Sequence, residues 1–202
     1  MLRSEVDHFT IQLLLSLANG AGRDWAVMGN NADVYDPAND GKRLQSYVSF
    51  GAVLASGLDV ESILRRHDLW CASHEIDRET ASFLLSECFA LDQRLHADMN
   101  FRATKFLSSD SVPLSVIVAL DDSHLRVCDG CIKGRMLDMV QPQTSYVPLS
   151  RGDVVVFRCD LVHSGAYNGA TASKRLHMVA HMPSEGLTFD TRVTHLPPFV
   201  SN

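Results

Sequence analysis

Of nine histidines in this chain of 202 residues, one stands two places before an acid: His96 and Asp98, in "RLHADM". On a strand, residues i and i+2 point to the same side, so the two side chains can grip one ion. A third candidate closes "RGDVVVFRCDLVHSGAYN" (Arg151 to Asn168), where two short apolar runs deliver His163 beside Ser164-Gly165. Two histidines and one carboxylate on one face are the ligand set of non-haem Fe(II) sites, and they leave coordination positions open. Arg175 lies twelve positions after His163 at the start of the next apolar run. From a neighbouring strand, its guanidinium can make a two-pronged salt bridge to a carboxylate several ångströms from a metal. Each piece alone has a plain alternative. An HxD arises by chance in a chain with 24 acids, His163 reads equally as a satisfied strand-end histidine, and single arginines usually end exposed.

These residues need strands to hold them, and the chain changes character halfway. Ser4 to Ala18 reads as a helix closed by Asn19-Gly20. Residues 21 to 46, rich in Gly, Asn and Asp, read as a long loop, and Asp59 to Trp70 as a second helix. The strongest helical pattern is "DRETASFLLSECFALDQRL" (Asp77 to Leu95), with Asp77 as cap and Leu84, Cys88, Leu91 and Leu95 at helical spacing. It conflicts with the HxD reading, because i and i+2 diverge on a helix, so the helix must stop before His96. Six short β segments follow: Leu114 to Leu120, His124 to Cys128, Thr144 to Leu149, Asp153 to Phe157, Leu161 to Tyr167 and Arg175 to Met182. Turn signals separate them. That spacing predicts an antiparallel sandwich or barrel. With helices first and strands later, the class is α+β, the helices packed on one face of the β core.

Length allows one domain with a sizeable core. A net charge of −6 without a dense basic run argues against non-specific nucleic-acid binding. The apolar run Ile11 to Ala18 is too short to span a bilayer and lacks a basic flank. The chain therefore reads as a soluble, intracellular, cytoplasmic protein. Five cysteines, an odd count, fit free thiols in a reducing compartment. Cys128 and Cys131 form a lone CxxC with no second half of a zinc site, and read as turn cysteines.

In order and spacing, "HADM", "VIVALDD", "LRVCDGC", "GDVVVFRCDLVHSG" and "KRLHM" resemble the Fe(II)/2-oxoglutarate-dependent dioxygenases, most closely the phytanoyl-CoA-hydroxylase-like branch. The resemblance covers roughly residues 90 to 182. It implies a double-stranded β-helix (jelly-roll, cupin-like) core over 90–182 within a single 1–202 domain. Residues 1–75 would form a helical or irregular region over the site. It also implies Fe(II) held by His96, Asp98 and His163, with 2-oxoglutarate anchored on Arg175. The expected reaction consumes O2, releases succinate and CO2, and hydroxylates or oxidatively demethylates a substrate, with ascorbate helping to maintain Fe(II). Asp98 disfavours the halogenase variant, which lacks that carboxylate. Two departures stand out. Asp129-Gly130-Cys131 replaces a "GSH"-like segment, and His177 stands where relatives carry a small polar residue, where it either bonds the same co-substrate carboxylate or simply packs.

Around these, Asn168 and Tyr167 are candidates to line the co-substrate pocket, and His181 shares the phase of Arg175. His124 reads as a surface residue, Trp25 and Trp70 as core, and Arg158 and Lys174 as solvated strand ends. The acidic balance favours a small molecule or protein side chain as substrate and leaves nucleic acid open. Two competing readings remain: a cupin-like metalloenzyme without 2-oxoglutarate, for which Arg175 is dispensable, and a non-catalytic β-barrel binding module with no metal dependence.

Overall fold

The structure, a computed structural model, describes residues 1–28, 41–70, 75–76, 81–93, 95–98, 112–128, 143–181 and 194–195. In chain order the elements are α1 (His8–Ala18), β1 (Ala26–Val27), β2 (Arg43–Tyr47), α2 (Phe50–Ala55), α3 (Val60–Arg66), β3 (Glu75–Ile76) and β4 (Ser82–Ser86). Then come β5 (His96–Ala97), β6 (Leu114–Ala119), β7 (Ser123–Cys128), β8 (Thr144–Leu149), β9 (Val154–Arg158), β10 (His163–Gly165), β11 (Ser173–His181) and β12 (Thr194–His195). Each helix starts on a side-chain cap: Asp7 accepts from the Thr10 N–H, Ser49 from Ala52 and Asp59 from Ser62.

All strand pairs are antiparallel. One sheet runs β1-β2-β4-β11-β6-β9, with β3 also on β11, and the other runs β12-β5-β10-β7-β8. From β4 to β11 the chain passes between the sheets at every step except the β7–β8 hairpin. The resulting orders, β4-β11-β6-β9 and β5-β10-β7-β8, are those of a double-stranded β-helix, with α1, α2 and α3 on one side. The jelly-roll expectation holds.

The apolar runs of β6 and β9 lack alternation because both faces are covered. Val116, Val118 and Val154 meet Ile11, Leu14, Val53, Ile63 and Leu64 of the helices, together with Leu176 and Met178 of β11. Ile117, Ala119, Val155 and Phe157 point the other way, between the sheets, against Leu125 and Leu149. Trp25 and Trp70 pack against the helix-side core, as expected.

Three local readings change. The helix expected over 77–95 is instead β4 followed by irregular chain. β4 is hydrogen-bonded on both edges, to β2 and β11, with Phe83 facing the helices. Two-sided burial erased its period of two, and the leucines at helical spacing were coincidental. Phe89, at φ 59°, has a left-handed backbone. The loop expected over 21–46 contains β1 and most of β2, which pair with each other, and β2 is held on its other edge by β4, about forty residues further along the chain. α1 begins at His8, not Ser4, because Ser4 turns at φ 51° to donate its N–H to Asp153. Cys88 and Cys159 are free thiols, but Cys128 is disulfide-bonded, so the free-thiol expectation fails there. Among the described residues no helix is long and apolar enough to cross a membrane.

Candidate metal centre

Strand register does the first part of the positioning. β10 lies between β5 and β7, with His163 directly opposite His96 on one side and Val127 on the other. Opposed residues in an antiparallel pair hold their side chains close. The two imidazole rings stand 4.6 Å apart, tilted by 53°. Asp98 follows β5 at once, on the same side as His96. Its Oδ1 lies 3.6 Å from His163 Nε2 and 4.0 Å from His96 Nε2. One donor atom from each of the three lies within 4.8 Å of the others. The helix conflict disappears, since β5 is a strand.

Electrostatics suits ligation. His163 Nδ1 lies 3.1 Å from the Leu161 carbonyl. A carbonyl only accepts, so Nδ1 carries the proton and Nε2 of the neutral ring keeps its lone pair. Burial lowers the His163 pKa, against an opposing pull from Asp98, and favours that neutral ring. For Asp98, burial favours the neutral acid, but the pull that the His163, His177 and His96 rings exert when protonated, together with a hydrogen bond from His177, outweighs it and holds the carboxyl well below the usual range. Phe157 sets its ring against His163 at 4.6 Å.

Arg175 comes from β11, between β4 and β6. Its neighbour Leu176 faces the helices, so strand alternation turns Arg175 and His177 into the space between the sheets. Arg175 is 7% exposed, and its buried Nε has no hydrogen-bond partner among the described residues. Burial lowers its pKa to about 10, which leaves it cationic at neutral pH.

Gly165 shares the phase of His163. A Cβ there would stand 2.4 Å from Arg43 Nη1 and 3.0 Å from Arg175 Nη2. Glycine is what lets two guanidinium groups approach this strand. Arg43, absent from the sequence expectations, is 2% exposed. Its Nη1 donates to Ser86 Oγ at 2.8 Å, and its Nη2 to the carbonyls of Leu91, Gly165 and Ala166 at 2.6, 3.2 and 2.7 Å. Those partners lie 43 to 123 residues away, so no local pattern marks it.

His177 points its Nε2 at Ser115 Oγ, 3.3 Å away, and at Asp98 Oδ2, 3.6 Å away. Asn168 bonds the carbonyls of Ser86, Glu87 and Thr171 and accepts from Ser173, so its side chain braces the chain here. Tyr167 is half exposed and His124 exposed. Arg158 pairs with Asp160, and Lys174 donates its backbone N–H to Asp121. The side chain of His181, and Cys131 with its "DGC" segment, lie outside the described residues.

Two imidazole nitrogens and a carboxylate oxygen fit a divalent metal with open positions. A buried, still cationic guanidinium with an orphaned N–H fits the carboxylate of a small acid.

No family model matches the sequence, and no curated protein matches it. Solved structures do. The non-haem α-ketoglutarate-dependent epimerase SnoN from nogalamycin biosynthesis superposes with a TM-score of 0.61 at 16% identity, covering 89% of this chain and 76% of SnoN. HygX from Streptomyces hygroscopicus, with nickel, 2-oxoglutarate and hygromycin B bound, gives 0.61 at 12%, covering 88% and 80%. AviO1 from Streptomyces viridochromogenes gives 0.57 at 15%, covering 89% and 87%. At such identities the likeness is one of fold: the chain has the jelly-roll architecture of these proteins.

Proposed function

We propose that the protein is an Fe(II)- and 2-oxoglutarate-dependent dioxygenase of the phytanoyl-CoA-hydroxylase-like branch, hydroxylating or oxidatively demethylating a small molecule. The observation that carries this reading is a buried arginine with an orphaned Nε in the same inter-sheet space as a His-Asp-His cluster. Small-molecule substrates are favoured by hygromycin B bound to HygX and by SnoN's origin in nogalamycin biosynthesis.

In this reading His96, Asp98 and His163 hold the iron on one face. Arg175 anchors the far carboxylate of 2-oxoglutarate. Bound together, iron and 2-oxoglutarate supply the oxidising chemistry from O2, with succinate and CO2 released. Ile117, Ala119, Leu125, Val155 and Phe157 wall the space between the sheets and exclude water that would quench a reactive site. The metalloenzyme reading without 2-oxoglutarate leaves Arg175 without a task.

The test is anaerobic titration of Fe(II)-loaded protein with 2-oxoglutarate, followed by the visible metal-to-ligand charge-transfer band. The band is expected in the wild type and weakened in Arg175→Ala. Bound iron without a band would overturn the 2-oxoglutarate reading. Because SnoN is described as an epimerase, stereochemical inversion is a second outcome at the same site. Product mass separates them, since hydroxylation adds one oxygen and inversion adds none.

A further inference from the structure

The two oxygens of Asp98 have different surroundings. Oδ1 faces the Nε2 atoms of His96 and His163. Oδ2 accepts a hydrogen bond from Ser115 Oγ, with His177 Nε2 3.6 Å away. Ser115 is fully buried on β6, and Cys159 Sγ lies 3.4 Å from its hydroxyl.

Donor counting fixes the directions. A carboxylate only accepts, so the single Ser115 proton goes to Asp98 Oδ2. The Ser115 oxygen then has only lone pairs to offer. His177 Nε2, 3.3 Å away, must donate to it, and the Cys159 thiol can donate from the other side. Ser115 is thus held by its neighbours in the one orientation that caps Oδ2.

We propose that Ser115, held by His177, is a positioning residue that caps Asp98 Oδ2, so that the carboxylate offers the metal only Oδ1. One-oxygen ligation keeps a coordination position open that a two-oxygen carboxylate would fill, and a co-substrate chelating through two oxygens needs that position. Partners behind a metal ligand set its orientation, and their loss typically weakens metal binding by about 10–100-fold. His177 accordingly serves the metal carboxylate rather than the co-substrate. This inference rests on the metal-site reading proposed above.

The test is Co(II) titration of the full chain under anaerobic conditions, reading both affinity and the visible d–d spectrum, which reports coordination number. Ser115→Ala removes the cap with almost no change in volume. It is expected to bind Co(II) about 10–100-fold more weakly and to shift the spectrum as the freed carboxylate turns. Ser115→Thr keeps the hydroxyl and is expected to restore both, and His177→Ala to move both partway. Far-ultraviolet circular dichroism checks that each variant folds, and a folded Ser115→Thr keeps the comparison intact if Ser115→Ala unfolds, with His177→Ala as the loss variant. Wild-type affinity and spectrum in folded Ser115→Ala would overturn the positioning role while leaving the metal site standing. Failure of the wild type itself to bind Co(II) would overturn the metal-site reading and this inference with it.

Discussion

At Gly165 the strand that carries His163 meets Arg43 and Arg175 with no room for a side chain. Gly165→Ala must displace a guanidinium, and overpacking of this kind costs about 1–3 kcal/mol. The expected result is weaker 2-oxoglutarate binding, by about tenfold per 1.4 kcal/mol, with metal affinity unchanged. Titration of metal-loaded protein with 2-oxoglutarate measures it, and equal loss of both ligands would place Gly165 in the metal site instead. The residue types at this scale were readable in sequence because HxD spacing, a histidine before glycine and an arginine one strand later are local facts. Ser115 and Arg43 were not readable. Ser115 stands 17 residues from Asp98, and Arg43 122 residues from Gly165.

β2 and β4 show where element-level reading failed. Both add strands to the helix-covered sheet from a stretch that reads as loop and helix. β4 carries apolar side chains on both faces, and no periodicity distinguishes such a short run from a helix turn. Tertiary pairing decided it, with β2 on one edge and β11 on the other. Arg43 then ties β2 to Gly165 at the end of β10 and to Ala166 just beyond it, across the two sheets. Arg43→Met is expected to leave buried carbonyls unsatisfied, at about 1–3 kcal/mol each, and to lower the urea midpoint. An unchanged midpoint would mean that water or a neighbour replaces the guanidinium without loss.

Across the whole molecule, two linkages follow. Asp153, 1% exposed on the turn into β9, accepts from Ser4 and Ser150 N–H groups at 3.0 and 2.9 Å and pairs with Arg3. Burial opposes its charged form, but these donors outweigh burial and lower its pKa. A lowered carboxyl pKa contributes stability that is complete above the unfolded value of about 3.9. That stability is lost as the pH falls through the folded value. Acid titration of the metal-free protein is expected to show this loss, and Asp153→Asn to flatten it while lowering stability at neutral pH. The second linkage is to ligand: metal at 100 times its dissociation constant should add about 2.7 kcal/mol. A thermal melt that Co(II) leaves unmoved would contradict a metal site formed only by the native fold.

Sequence alone determined the chemistry on offer and the class of scaffold. Residue identity, a two-residue spacing and the order of short apolar runs are properties of the chain itself; they offer three candidate ligands and an antiparallel sandwich or barrel, and the resemblance carried by the same runs implies the jelly roll. Tertiary structure alone decided which side chains serve them. It set His163 opposite His96, turned Oδ2 of Asp98 to Ser115, brought a second arginine from β2, and made a strand of a helical pattern. Those outcomes depend on contacts between residues far apart in the chain, and on burial of both faces of a sheet, neither of which a local window contains.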